Sequence, residues 1–350
     1  MKKSEKIIHI TLIIILTTIF SSVLYKKNDY NEITQGAYVS SIGISYDIKT
    51  KTYEVYFYIL NNFNLGNSQY ATSEAKNLGY ITKGKGTSIA SSIHNIKEAS
   101  NIRLETSHIK SLVLKDTFFN DSNVFELVDF IKNSPDFYPS FIVYTTSDEI
   151  SEIYKVDNFT ETSAYYTLLV NNQGINKPKL VTFTYFINDI LDENYTTGYP
   201  IIKSVKTVLS DYDEPYNTLI IDGMSYITNK TQISFFKYDH LYGLKYFNPL
   251  KKEILSYDDF DFLVYEYYYK NFITNNTLNI LITIHGKVIN NRTNKQNEEL
   301  FNTLKDKIID NLNNLKKEMD EYNIDVFNTL HMSKNNSFKD VKLNYKINII

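Results

Sequence analysis

The sequence predicts an α+β protein: a three-domain body of mixed sheets and helices that follows one N-terminal transmembrane or signal segment. Three observations carry this expectation. Ile7 to Tyr25 is uncharged and strongly apolar. Thr52–Leu60 and Lys339–Ile350 alternate with the two-residue period of half-buried strands. Gln296–Tyr322 repeats apolar residues at helical spacing over about seven turns.

The apolar segment would form a helix of about 28 Å, close to the hydrocarbon thickness of a bilayer. Lys2, Lys3 and Lys6 precede it, and Lys26 and Lys27 follow. It is longer than a usual cleavable signal core and lacks a small-x-small site, so a retained anchor is favoured. The slight excess of positive charge before it places the short tail inside and the body outside. Residues 1–27 are therefore the anchor, 28–156 an N-terminal mixed α/β domain, 157–246 a β-rich middle domain, and 247–350 a C-terminal α+β domain with the long helix.

The elements follow in order. Asn28–Gly36 is a polar tether. Ala37–Tyr46 and Thr52–Leu60 are strands, with Asp47–Lys51 as a connection of hairpin length. Asn61–Asn77 is a long polar loop, and Leu78–Thr82 a third strand. Gly84-Lys85-Gly86-Thr87-Ser88 opens a helix from Ser88 to Ser100. His108–Leu114 is a strand. Asn123, with Glu126 as capping-box partner, starts a helix whose apolar stripe is Val124, Leu127, Val128 and Ile131. Ser140–Thr145 is a strand, and Thr146 with Glu149 caps a short helix ending at Tyr154.

Asp157–Gly174 reads as a helix and Val181–Leu191 as an amphipathic piece. Ile201–Leu209, Leu219–Tyr226 and Gln232–Tyr238 read as strands, with a bend at Asp222-Gly223. Asp259–Tyr269 is aromatic on both faces and fits helix or strand. Thr277–Ile289 is a strand. In the long helix, Leu300, Leu304, Ile308, Ile309, Leu312, Leu315 and Met319 form one stripe. Val341, Leu343, Tyr345, Ile347 and Ile349 then alternate in a strand that pairs with the earlier one.

Composition narrows the function. The net charge of −3 argues against a nucleic-acid binder. The absence of cysteine excludes disulfides, thiolate metal sites, a Cys nucleophile and a lipidated cysteine. Asn-x-Ser/Thr triplets arise freely in a chain this rich in Asn, so no glycan is assigned. Gly79 to Lys85 has the spacing of a phosphate-binding loop, but Gly86 stands where the motif needs a hydroxyl for Mg²⁺. It reads as a loop and helix start.

No two of the six histidines have the spacing of a helical zinc pair. Asp258, Asp259 and Asp261 read as a solvated turn rather than a calcium loop. Tyr267-Tyr268-Tyr269 reads as a core-to-surface transition. There is no Gly-x-Ser-x-Gly elbow. These residues build no active site and imply no cofactor.

Four stretches in order resemble the Ger(x)C family, the C subunits of bacterial spore germinant receptors. Tyr38 to Asp47 is similar to the family's opening strand. Gly86-Thr87-Ser88-Ile89, a helix, and His108 to Leu114 resemble its Gly-x-Thr turn, helix and His-x-Lys strand. Pro200-Ile201, Gly223 and Phe236 to Leu244 resemble its Phe-Lys-x-Asp-x-Leu-x-Gly segment. Tyr322 to Phe327 resembles the step after its long helix. Two departures stand out: the family's lipidated cysteine is replaced by Ser21-Ser22-Val23, and its arginine-rich loop by Lys132 to Asp136.

The resemblance implies a non-enzymatic, membrane-tethered subunit needed for nutrient-triggered germination. Its partners would be integral-membrane A and B subunits and sometimes a small D subunit. Its body would lie on the outer face of the spore inner membrane, and the germinant is not expected to bind this subunit alone. The first candidate partner surface is Gly84, Gly86 and Thr87 with His108 and Lys110, where a helix start offers N–H groups beside a strand-borne lysine. The second is the segment of Lys237, Asp239 and Gly243. The alternative function is an extracytoplasmic solute-binding protein, which would need an interdomain cleft with convergent polar groups.

Overall fold

The computed structural model describes residues 14–15, 17–18, 36–60, 79–156, 180–192, 195–211, 214–228, 232–237, 243, 246, 253–293, 295–333 and 337–350. Of the N-terminal apolar segment only Ile14, Ile15, Thr17 and Thr18 fall in this set, and they are helical. Among the described residues no helix is long and apolar enough to cross a membrane. The loop expected at Asn61–Asn77 and the helix expected at Asp157–Gly174 lie outside the described residues.

Strands β1 (Gly36–Asp47) and β2 (Thr52–Leu60) form an antiparallel hairpin, and β3 (Gly79–Gly86) adds antiparallel to β2. Asp47 organises the turn by accepting the N–H groups of Lys49 and Thr50. The chain then crosses over through helix α1 (Ile89–Ala99) to β4 (Arg103–Glu105) and β5 (Ser111–Lys115), both parallel to β1. A second crossover, α2 (Asp121–Asn133), leads to β6 (Ile142–Thr146), parallel to β5. Parallel neighbours require such crossovers.

After the short helix α3 (Ile150–Tyr154), helix α4 (Phe183–Leu191) precedes the meander β7 (Gly198–Asp211), β8 (Glu214–Thr228) and β9 (Gln232–Lys237). This meander extends the first sheet through the Thr145↔Ile201 pairing of β6 with β7. The sheet runs β3-β2-β1-β5-β6-β7-β8-β9, with β4 on β1.

Both faces of the sheet centre are covered. Ile42, Ile44, Val55 and Phe57 pack on one side with Ile89, Ile93, Leu127 and Phe186 from α1, α2 and α4. Tyr56, Tyr58, Val113 and Tyr144 pack on the other with Ile150, Ile153 and Tyr154 of α3. Central β1 is consequently buried on both faces from Ser41 to Ser45. Its Ser41 hydroxyl lies 2.6 Å from the Tyr154 hydroxyl. A Cβ at Gly43 would lie 2.4 Å from the Ile150 side chain, so α3 approaches β1 this closely only over a glycine.

The second sheet is β10 (Glu253–Ser256), β11 (Phe260–Thr274), β12 (Thr277–Asn291) and β13 (Lys342–Ile349). Asp259–Tyr269, open between helix and strand by sequence, lies in β11 apart from its first residue. There the run of tyrosines divides: Tyr267 and Tyr269 pack towards the core, while Tyr268 is 58% exposed. Helix α5 (Asn297–Tyr322) covers one face, with Leu300, Leu304, Ile308, Leu312, Leu315 and Met319 buried. Burying each such side chain stabilises by roughly 1.5–3 kcal/mol before entropy. The helix ends at Asn323, whose left-handed φ of 58° makes it the C-cap. Helix α6 (Thr329–Ser333) follows, and β13 then pairs parallel to β12.

Four local expectations change. Helix α3 has Glu149 at its N-cap with no side-chain cap, and the Thr146 hydroxyl accepts the Asp148 N–H instead. β3 runs through Gly86, so Gly84 and Gly86 are strand residues rather than loop. α2 is capped by Asn120, whose Oδ1 accepts the Asn123 N–H at 2.9 Å; Asn123 itself is buried. β5 begins at Ser111, and His108 lies in a turn. The cause is β4, which pairs with Gly36–Tyr38, so the chain must loop out before rejoining β1 opposite Ser41.

Candidate interaction surfaces

The segment from Gly84 to Ser88 is built by helix–strand packing. A Cβ on Gly84 would lie 2.1 Å from the Ser92 carbonyl oxygen, and one on Gly86 2.3 Å from the Ser91 hydroxyl. The two glycines let α1 lie directly on the edge strand. Ser88 caps the helix, its hydroxyl accepting the Ser91 N–H at 3.0 Å, and the Ser91 hydroxyl accepts the Ser88 N–H in return. The Ile89 N–H is taken by Glu126 of α2 at 2.8 Å. Of the N–H groups expected to be offered to a partner, those of Ser88, Ile89 and Ser91 are engaged inside the molecule. Thr87 is exposed beside them.

His108 and Lys110 are both exposed. The His108 ring meets the edge of Tyr38 at 5.1 Å, and the Lys110 backbone continues the ladder from Ser40 to Ile142. The register keeps them apart from the glycine segment. Gly84 is level with Val55 and Ile44, whereas Lys110 is level with Ser40, and three strand spacings intervene. The two parts are separated by about 13 Å along the strands and about 14 Å across them. They do not adjoin one another.

Of the second candidate surface, Lys237 ends β9, where its backbone pairs with Gly223. Asp239 lies outside the described residues. Gly243 is buried against α5, where a Cβ would come within 2.7 Å of the Asn311 carbonyl.

Other polar groups gather where sequence spacing gave no signal. On the edge of the first sheet, Glu54 receives Lys83 at 2.8 Å and the Tyr56 hydroxyl at 3.0 Å. Desolvation opposes the Glu54 charge, but these hydrogen bonds hold its carboxyl below the usual range. Buried Asp189 of α4 accepts the hydroxyl of fully buried Tyr199, and desolvation pushes its carboxyl up to about 7.

The linker after α4 meets the C-terminal unit. The Asp192 carboxylate lies 2.7 Å from His331 Nδ1, Tyr195 meets the His331 ring at 5.2 Å, and the Thr196 N–H donates to Asn328 at 2.5 Å. Buried Asp325 accepts the Thr329 hydroxyl and the Leu330 N–H, and desolvation raises its pKa. The acidic turn is closed by Arg292, which bonds Asp261 at 2.6 Å and the Tyr257 carbonyl at 2.7 Å. These pairs join residues as much as 139 positions apart, beyond the reach of motif spacing.

Among the described residues no group of His, Cys, Asp or Glu could hold a metal ion. A small cavity lies inside the first core, lined entirely by apolar side chains such as Ile44, Ile93, Leu127 and Phe141. It offers no polar group to orient a solute.

A family model described as the spore germination protein N-terminal domain matches residues 29–206, just over half of the chain. A solved structure described as the crystal structure of the GerBC protein aligns with a TM-score of 0.46 at 13% identity, covering 88% of this chain and 97% of that one. No curated protein matches the sequence. The family match defines the class, a spore germination protein. The chain belongs to the Ger(x)C family, the germinant receptor C subunits.

Proposed function

We propose that this chain is the non-enzymatic, membrane-tethered C subunit of a spore germinant receptor, needed for nutrient-triggered germination. It works by assembling with integral-membrane A and B subunits and, in some receptors, a small D subunit. Its body lies on the outer face of the spore inner membrane, tied there by the apolar segment Ile7 to Tyr25. The observation that carries this reading is the family match over residues 29–206. The uncharged N-terminal segment supports the tether, and the absence of cysteine makes it the available means of attachment.

The test is affinity purification of the full chain from spore membranes. Two multi-span subunits should co-purify, and in-frame deletion should abolish germination with nutrients. Recovery of the chain alone, together with a thermal shift on adding a small nutrient, would instead support the solute-binding alternative.

A further inference from the structure

Among the described residues, helices cover only one face of the C-terminal sheet, and the strand register fixes which side chains share the other. Glu266 faces His285, Tyr268 faces Thr283, Lys270 faces Leu281, and Phe272 faces Asn279. Across β12, Leu281 faces Lys346 and Asn279 faces Asn344. The Asn344 side chain bonds that of Asn279 at 2.9 Å, which fixes both on this side. Lys287 sits 5.9 Å over the Tyr265 ring, and Lys270 5.9 Å over Phe272.

Large apolar groups remain in water here. Tyr265 is 43% exposed, Tyr268 58%, Phe272 41%, and Ile254 on β10 38%. The charge of the face is opposite to that of the chain. On β11, β12 and β13 it presents Lys270, Lys287, Lys342 and Lys346. Against them stand Glu266 and Asp261, and Asp261 is already paired with Arg292. The whole chain carries −3.

We propose that this face lies on an anionic phospholipid bilayer. Tyrosine and phenylalanine rings alternating with lysines suit the headgroup layer, where rings bury their bodies and ammonium groups reach phosphates. Each lysine near an anionic surface strengthens binding about fivefold. A broad strand face bearing rings and ammonium groups side by side suits the headgroup layer, whereas an acidic protein segment would be better held by a groove. The inference deepens the proposed membrane tether and rests on it: a tethered body needs only a weak contact, because the tether sets a high local concentration.

The experiment uses the full chain, whose lack of cysteine allows unique labelling. Tyr268→Cys, or Phe272→Cys if that folds poorly, carries an environment-sensitive dye. Lys305→Cys on the exposed side of α5 is the control. The chain is mixed with vesicles of phosphatidylcholine, with or without phosphatidylglycerol. Flotation with neutral vesicles reports the tether, and dye protection from aqueous iodide reports the face.

Phosphatidylglycerol should protect the Tyr268 label but not the Lys305 label. Lys270→Glu with Lys346→Glu should weaken the protected state at least 25-fold. Equal quenching at both positions in anionic vesicles overturns the proposal, as does protection only on adding the integral-membrane subunits, which would mark a protein contact. A chain that floats only with anionic vesicles, with the Tyr268 label protected, would sink the tether and leave the face standing.

Discussion

The Glu126 carboxylate accepts the backbone N–H of Ile89 at 2.8 Å, so one crossover helix caps the other. The interaction adds a negative charge at the positive end of α1 and fixes its angle to α2. Glu126→Ala should lower the stability of the N-terminal sheet by about 1–2 kcal/mol, with Glu126→Gln in between. Urea denaturation followed by circular dichroism measures this. An unchanged midpoint for Glu126→Ala would show that the bond contributes nothing.

Gly84 lies where a side chain would meet backbone rather than a movable group. Gly84→Ala must push α1 off β3, at a cost of about 3 kcal/mol. Limited proteolysis should then cut the β3–α1 region faster than in the wild type. Thr87→Ala, in the same segment but exposed, should change nothing measurable.

Asp189 gives a pH signature. Its folded carboxyl titrates at about 7, raised from 3.8 by desolvation beside Tyr199 and Asp192, with the Tyr199 and Thr197 hydrogen bonds opposing the rise. The folded state therefore binds the proton more tightly than the unfolded chain. Its stabilising effect is full below about 3.8 and is lost as pH rises through about 7. The total loss is on the order of 4 kcal/mol. Asp189→Asn should flatten this part of the stability–pH curve, and equal slopes for both proteins would refute it.

The seam between the two sheets contains a weak pair and a stronger bond. Asp192 and His331 are 40% and 49% exposed, so a double-mutant cycle should give a coupling of about 0.5 kcal/mol. Asn328 combines a φ of 55° with the hydrogen bond from Thr196. Asn328→Ala should cost about 2 kcal/mol, because alanine tolerates that backbone poorly and leaves the Thr196 N–H without its acceptor. Asn328→Gly should recover only the backbone part.

Arg292 should control the acidity of Asp261. Its guanidinium hydrogen bond is the first cause of the lowered Asp261 pKa, followed by the Asn290 amide. In Arg292→Gln the carboxyl should titrate closer to its ordinary value, which NMR of the Asp261 side chain would read directly.

Where one strong period ran through a segment, the sequence was legible. Thr52–Leu60 is β2 residue for residue, and the stripe from Leu300 to Met319 is the buried face of α5. β11 was ambiguous for two reasons. Aromatic side chains occupy both its faces, and a bulge at Tyr265 breaks the alternation. Sequence does not single out the start of α2, because Asn120, Asp121, Ser122 and Asn123 are all good caps, and only the fold shows that Asn123 is needed inside, holding the Tyr53 hydroxyl at 2.7 Å.

The candidate surfaces were harder to read than the elements. The glycines stand out in the sequence, but their use is packing. Spacing marks Glu126 as a cap for its own helix, while its bond to Ile89 spans 37 residues. Chain order brings His108 and Lys110 near the glycines, and register separates them. A sheet face open to solvent has no motif at all; its only trace is an alternation whose outward residues are aromatic and basic.

The pairing of β13 with β12 across α5 also sets an order of events. The chain must make more than fifty further residues after β12 before that strand finds its parallel neighbour. Until then β12 presents an unpaired apolar edge, which can recruit another copy. A ribosome stalled anywhere within α5 would release a product prone to aggregate rather than a shortened subunit. Premature stop codons there should consequently behave like loss of the whole protein.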